Sequence, residues 1–206
     1  SSWIVRIAEA NGIKLETLTL MLFGLYLLPW NRDIDRLAPK WLLKKICAHT
    51  GTSYWDAYRT TLAGYRTRLF PRRQLSGQLR WILPVKIHST RRNGYGMQYC
   101  PACLAADKEP YFRRKWRVAF YTFCPEHKIM LHDCCPACSV GVTLFRRDFG
   151  RAIDEAGAVC LCYQCGFDLR SAPQHPTHVY EDESFHLYAQ MLAALRYANI
   201  TYLIRP

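Results

Sequence analysis

The spacing of the cysteines constrains this chain more than any other feature. Nine of its ten cysteines fall between Cys100 and Cys165. They come as Cys100/Cys103, Cys135/Cys138 and Cys162/Cys165, each C-x2-C, with Cys124/His127 as C-x2-H. A C-x2-C turn aims two thiolates at one point about 2.3 Å from a metal, whereas a disulfide across so short a loop stabilises little. Four half-sites supply eight ligands, enough for two Zn2+ ions. Pro follows the first cysteine in three of them and Gly166 follows the last, which suits tight knuckle turns. Thiolate ligands of this kind belong to a reducing compartment.

Pairing in chain order predicts one site from Cys100, Cys103, Cys124 and His127 and a second from Cys135, Cys138, Cys162 and Cys165, with gaps of 20 and 23 residues. Each gap leaves room for one hairpin. A crossed pairing would need the seven residues from Lys128 to Cys134 to join interleaved sites. Four protein ligands close a zinc site, so both ions are expected to be structural, since catalytic zinc keeps a water position open. Cys134 and Cys160 are left over as packed thiols or alternative ligands, and Cys47 falls in a helical stretch as a core residue.

With 206 residues, half of them apolar, the chain can bury roughly 70% of its unfolded surface, which excludes disorder. Its longest apolar run, Leu18 to Trp30, holds Gly24 and Pro29 and spans only 13 residues. A bilayer needs about 20, so no membrane span is expected. Nor does the run sit as a secretory signal would, and the missing initiator Met points to a trimmed fragment. No P-loop, carboxylate pair or nucleophile constellation stands out, and His49, His88, His175, His178 and His186 are scattered singly. The chain does not read as an enzyme.

The first 65 residues have helical periodicity. Trp3, Ile4, Ile7 and Ala8 share one face, Asn11-Gly12 ends that helix, and a second apolar helix is expected from about Leu15 to Leu27. Ala8, Gly12 and Leu18 fit helix-turn-helix spacing, as do Cys47, Gly51 and Ala57, with Thr52 or Ser53 capping a helix through Leu62. Any packed helix pair can show the same spacing. The second helix of the first unit reads LTLMLFGLYLL, without side chains for base edges, and so makes a packing or protein-binding face. In the second unit Tyr54, Trp55 and Tyr58 are candidate partner-binding residues, along a helix expected to reach Tyr65, and the apolar segment Met21 to Trp30 is the second candidate partner face.

The net charge is +12, falling to about +9 once seven thiolates and two Zn2+ are counted. From Ala57 to Ala106 there is no acidic residue and nine basic ones. Within that stretch Arg66, Arg68, Arg72, Arg73, Arg91 and Arg92 are candidate phosphate contacts, and Arg113, Arg114, Lys115 and Arg117 could extend the stripe. A solvated basic surface without a ligand is the plain alternative. Trp116 is expected in a strand running to Cys124.

YCPAC (Tyr99 to Cys103), EPYFRRKWR (Glu109 to Arg117), FCPEH (Phe123 to His127), CCPAC (Cys134 to Cys138) and CYQCGFDL (Cys162 to Leu169) resemble the TniQ family, and SSWIVRIAEANGI resembles its opening helix. The likeness covers Ser1 to Leu169. It implies a TnsD-related transposon target-selection protein that helps to place an AAA+ ATPase regulator (TnsC-like) at the insertion site. In CRISPR-associated transposons, such proteins couple an RNA-guided effector complex to that regulator. The resemblance also implies the same eight zinc ligands and a cytoplasmic, nucleoid-associated bacterial protein. The sequence departs from the family in doubling Cys134-Cys135 and in lacking the acidic residue before the opening Ser-Trp.

The resulting expectation is a mainly α chain with small β. Residues 1–75 form a helix-turn-helix-like helical part, 76–98 a basic linker, 99–170 a double zinc-ribbon core, and 171–206 a tail. That tail holds a helix from Glu183 or Ser184 with Tyr188, Met191, Leu192 and Leu195 buried. The expected function is a target-site adaptor between a CRISPR effector complex or target DNA and the AAA+ regulator. It would hold the DNA backbone and could act as a homodimer presenting two faces. The alternative is a TnsD-like sequence-specific DNA reader, and the short chain favours the adaptor.

Overall fold

The computed structural model describes residues 2–24, 29–66, 69–70, 79–85, 95–147, 158–177, 188, 190–191 and 193. Within them the protein is mainly helical with one two-stranded sheet, as expected. Six α-helices are described: α1 Ser2–Ala10, α2 Leu15–Phe23, α3 Ile34–Leu37, α4 Lys40–Thr50, α5 Tyr54–Arg59 and α6 Pro101–Ala106. Strands β1 Phe123–Cys124 and β2 Ile129–Met130 pair antiparallel, Phe123 opposite Met130 and Cys124 opposite Ile129.

The apolar period buries Ile4, Val5 and Ala8 of α1 against Leu15, Leu18, Leu22 and Phe23 of α2. Helix α2 ends at Phe23, earlier than expected. Gly24 takes φ +76, outside the helical basin, while its N–H still bonds Leu20 O. In α5 the Ser53 hydroxyl accepts the Asp56 N–H at 3.1 Å and donates to the Asp56 carboxylate at 2.6 Å, a reciprocal cap. That helix stops at Arg59, short of Leu62. The Thr60 and Thr61 hydroxyls bond back to the Ala57 and Tyr58 carbonyls at 2.7 Å, and Leu62 turns inward on the 3-10 segment Leu62–Tyr65.

Trp116 is fully buried, yet it lies on the 3-10 turn Arg114–Arg117 and not on the expected strand. The basic side chains Arg114, Lys115 and Arg117 there reach different partners, which a flat strand with two alternating faces does not allow. The described part of the segment read as a linker is packed. Leu79, Ile82 and Met97 are buried, Ile82 bridges Val118 and Val85 bridges Tyr95. Apolar residues every few positions outweigh the Gly and Ser content there. One hydrophobic cluster consequently runs from Ile4 through Trp116 to Ala172.

Residues 173–177 lie along the open edge of the β1–β2 hairpin. Pro176 bridges Ile129, the Met130 N–H donates to His175 O at 2.9 Å, and the Thr177 N–H to Lys128 O at 3.0 Å. A bare edge would leave such groups unpaired. Tyr188, helical as expected, stacks on Phe123 at 4.1 Å and donates to its carbonyl, and Met191 is half-buried. The proposed helix start at Glu183 or Ser184, Leu192 and Leu195 lie outside the described residues.

Candidate metal centres

Two groups of potential ligands converge, Cys100, Cys103, Cys124 and His127 in one and Cys135, Cys138, Cys162 and Cys165 in the other, each with donor atoms within 4.8 Å of one another. The halves therefore meet in chain order and not crossed. In the first group Cys103 Sγ lies 3.5 Å from Cys124 Sγ, and His127 Nδ1 lies 3.7, 3.3 and 3.5 Å from Cys100, Cys103 and Cys124. In the second, Cys135–Cys165 and Cys138–Cys162 are each 3.6 Å apart. Tetrahedral ligands around an ion with 2.3 Å sulfur bonds have edges of about 3.8 Å between sulfurs and about 3.6 Å from sulfur to nitrogen. Both groups fit that frame, and no disulfide joins these cysteines.

Three of the four half-sites share one turn. Lys128, Ser139 and Gly166 each follow the second ligand, each has positive φ (55°, 57° and 75°), and each donates its N–H to the carbonyl of the first ligand at 2.8–2.9 Å. The fourth half-site is different. Pro101 opens α6, Cys100 is its N-cap, and the Cys103 N–H points at Cys100 Sγ at 3.4 Å.

Crowded sulfurs also perturb one another. Hydrogen bonds from Cys100 and Cys103 hold the Cys124 thiol far below its usual range, while hydrogen bonds with Cys100 and Cys124, together with burial, push Cys103 far up. Burial pushes Cys162 up to about 12, whereas the Phe167 N–H holds Cys165 down. A divalent cation would replace the shared protons and relieve that repulsion. Cys135 belongs to the second group and Cys134 does not; in extended chain bridged to Gly141, neighbouring side chains point opposite ways. Cys160 is buried outside both groups and Cys47 is half-buried against the core.

The basic motif RRKWR faces inward, which corrects its reading as an extension of the phosphate stripe. Arg113 makes two bonds to Asp107, at 3.0 and 2.8 Å. Arg114 donates to the Arg59 and Thr61 carbonyls and lies over Tyr65, and Lys115 pairs with Glu126 at 3.1 Å. Arg117, its side chain 2% exposed, pairs with Asp33 at 2.6 Å and reaches Leu83 O. Glu9 forms an ion pair with Arg147, 2.6 Å apart, and accepts the Val159 N–H at 2.9 Å. The contacts of Arg114, Arg117 and Glu9 tie the helical part to the cysteine-rich part.

The sequence model of the TniQ family matches residues 1–131, which take in α1 to α6, the RRKWR motif and the whole first ligand group. The chain belongs to the TniQ family. TniQ proteins are non-catalytic and act in transposition-associated target selection. The second ligand group lies beyond the matched residues, although the resemblance read from the sequence extended to Leu169. No curated protein matches the chain.

Of the nucleic-acid candidates, Arg66 is half-buried and donates to Leu37 O at 3.3 Å, while Arg68, Arg72, Arg73, Arg91 and Arg92 lie outside the described residues. The partner-face candidates do assemble. Tyr54, Trp55 and Tyr58 form a ring cluster with centroids 5.7–6.3 Å apart, and Trp55 is 67% exposed. No helix among the described residues is long and apolar enough to cross a membrane. The sequence reading missed the inward role of RRKWR. Its one outward sign was the alternation of Trp116 with basic residues.

Proposed function

We propose that this TniQ protein is a target-site adaptor, shaped by two structural Zn2+ ions, that links a DNA-targeting complex to an AAA+ transposition regulator. The observation that carries the reading is the combination of two closed four-ligand groups with an exposed aromatic face on α5. Cys100, Cys103, Cys124 and His127 would hold one ion and Cys135, Cys138, Cys162 and Cys165 the other. Zinc supplies folding free energy at such sites and no reaction step. Three thiolates with one imidazole, or four thiolates, suit zinc over oxygen-preferring cations.

In this reading Tyr54, Trp55 and Tyr58 meet a protein partner, since aromatic residues dominate binding energy at interfaces. Arg66, Arg68, Arg72, Arg73, Arg91 and Arg92 hold DNA through its backbone, which positions without specifying sequence. An RNA-guided effector complex supplies specificity by base pairing. A homodimer would present one face to that complex and one to the regulator. The protein then works beside the bacterial nucleoid, in the reducing cytoplasm.

The test is binding of purified zinc-loaded protein to random duplex, to a candidate attachment-site duplex, to the AAA+ regulator and to the effector complex. The adaptor binds both proteins and discriminates little between the duplexes. Discrimination approaching 10³-fold without any guide complex would instead establish a direct DNA reader.

A further inference from the structure

Helix α2 turns two large apolar side chains outward at its last turn: Leu20 is 44% exposed and Met21 74%. The inward positions Leu15, Leu18 and Leu22 share one face of α2, and at about 100° per residue Leu20 and Met21 fall about 120–140° around the helix from Leu15, away from the core. Beside that turn stands α4. Its Trp41 meets Phe23 edge-on, with ring centroids 5.4 Å apart, and is itself 41% exposed. Lys44 and Lys45 follow Trp41 at i+3 and i+4 and so flank its ring on the outer face, with Lys40 one residue before. Helix α4 contains no acidic residue, and among the described residues none of the three lysines has a carboxylate partner. The result is a small apolar patch with a basic border.

We infer that this α2–α4 patch is a docking surface for a protein partner that presents an acidic, apolar-centred helix. This deepens the adaptor reading and rests on it for the partner's biological setting, while the chemistry of the surface stands on these residues. An apolar centre ringed by polar groups is the anatomy of a protein interface. The α4 side of the border, with Lys40, Lys44 and Lys45 and no carboxylate, selects an acidic counterpart, since like charges set opposite one another are costly. A second copy of this chain is disfavoured on that ground, because it would set lysines against lysines. Nucleic acid matches the lysines but leaves Met21 and Leu20 against phosphates, with no apolar surface to bury. A lipid surface is disfavoured as well: the outward stripe of α2 carries Glu16 and Thr17 behind Leu20 and Met21, and an interfacial helix needs a continuous apolar face.

The experiment pans a phage-displayed library of helical peptides, randomised on one face, against the full zinc-loaded chain. Enriched peptides should carry Asp and Glu around Leu, Phe or Trp. Their affinity should fall about tenfold or more for Met21→Asp and, separately, for Lys44→Glu. Both side chains are exposed, so zinc content and far-UV circular dichroism should match the parent.

Enrichment without acidic bias, or peptides indifferent to both substitutions, would overturn the inference. So would any of three alternative effects. One is a dimer in sedimentation that Met21→Asp dissociates. Another is a duplex-binding salt slope that Lys44→Glu reduces by about 0.9. The third is binding to phosphatidylcholine vesicles containing phosphatidylserine that either substitution removes. Acidic peptides selected as expected, with no binding of the AAA+ regulator or effector complex, would leave the surface standing and remove the adaptor reading. Binding of both proteins without the peptide result would remove the surface alone.

Discussion

Lys128 and Ser139 hold a left-handed backbone at the residue after a second ligand, where the third such turn has Gly166. For an L side chain that conformation costs roughly 1–2 kcal/mol, and glycine avoids the cost while adding freedom to the unfolded chain. A Cβ at Gly166 would meet nothing within 4 Å, so the penalty of Gly166→Ala is one of backbone alone. Gly166→Ala should therefore destabilise by about 1 kcal/mol or slightly more. Ser139→Gly should lie between neutral and about 1 kcal/mol stabilising. Urea unfolding of zinc-loaded protein under reducing conditions measures both. The need for tight turns was legible in the C-P-x-C and C-G spacings. That Lys128 and Ser139 adopt the glycine-like conformation was not, because ligand convergence imposes it against their own preference.

The 3-10 turn Arg114–Arg117 is the element on which the two parts of the molecule meet. Arg117 is buried with its charge matched by Asp33, which also caps α3 by accepting the Arg36 N–H. Removing one partner of such a pair leaves an uncompensated buried charge, a loss of about 3–5 kcal/mol. Arg117→Ala and Asp33→Ala should each cost that order, and the double variant less than their sum. A double-mutant cycle from denaturant midpoints checks this. Equal and additive losses would mean that the two side chains act independently. Sequence patterning placed α1, the start of α2 and a cap at Thr52 or Ser53, which the structure gives to Ser53, since each rests on local periodicity or a neighbouring side chain. It extended α2 and α5 too far and read a strand around Trp116. Gly24, the threonine back-bonds and the inward arginines act through specific geometry that average propensity does not carry.

At the scale of the whole molecule, zinc and the basic stripe make the strongest predictions. Elemental analysis should find about two Zn per chain, and Cys124→Ser should unfold the region around its site and not merely weaken binding, because site binding free energy is largely folding free energy. Chelation should cost far-UV signal and protease resistance together. Metal-free protein that keeps both would refute structural zinc. Replacing Arg72, Arg73, Arg91 and Arg92 with Ala should flatten the dependence of log affinity on log salt by about 0.9 for every phosphate these side chains neutralise. An unchanged slope would assign those arginines to solvent or to a protein surface.

Eight ligands in four short motifs, the likeness to TniQ proteins and the helical opening were determined by the sequence itself, because each depends on residues close together in the chain. Their pairing in chain order was favoured but not decided there, and only the convergence of the sulfurs within 4.8 Å excludes the crossed arrangement. Tertiary structure alone decided that RRKWR faces inward, that the described residues of the linker pack into a shared core, and that residues 173–177 cover the hairpin edge. The physical reason is common to all three. A basic or polar residue reads as solvated until a distant carboxylate or carbonyl is folded against it, and that contact is set by the approach of segments many residues apart.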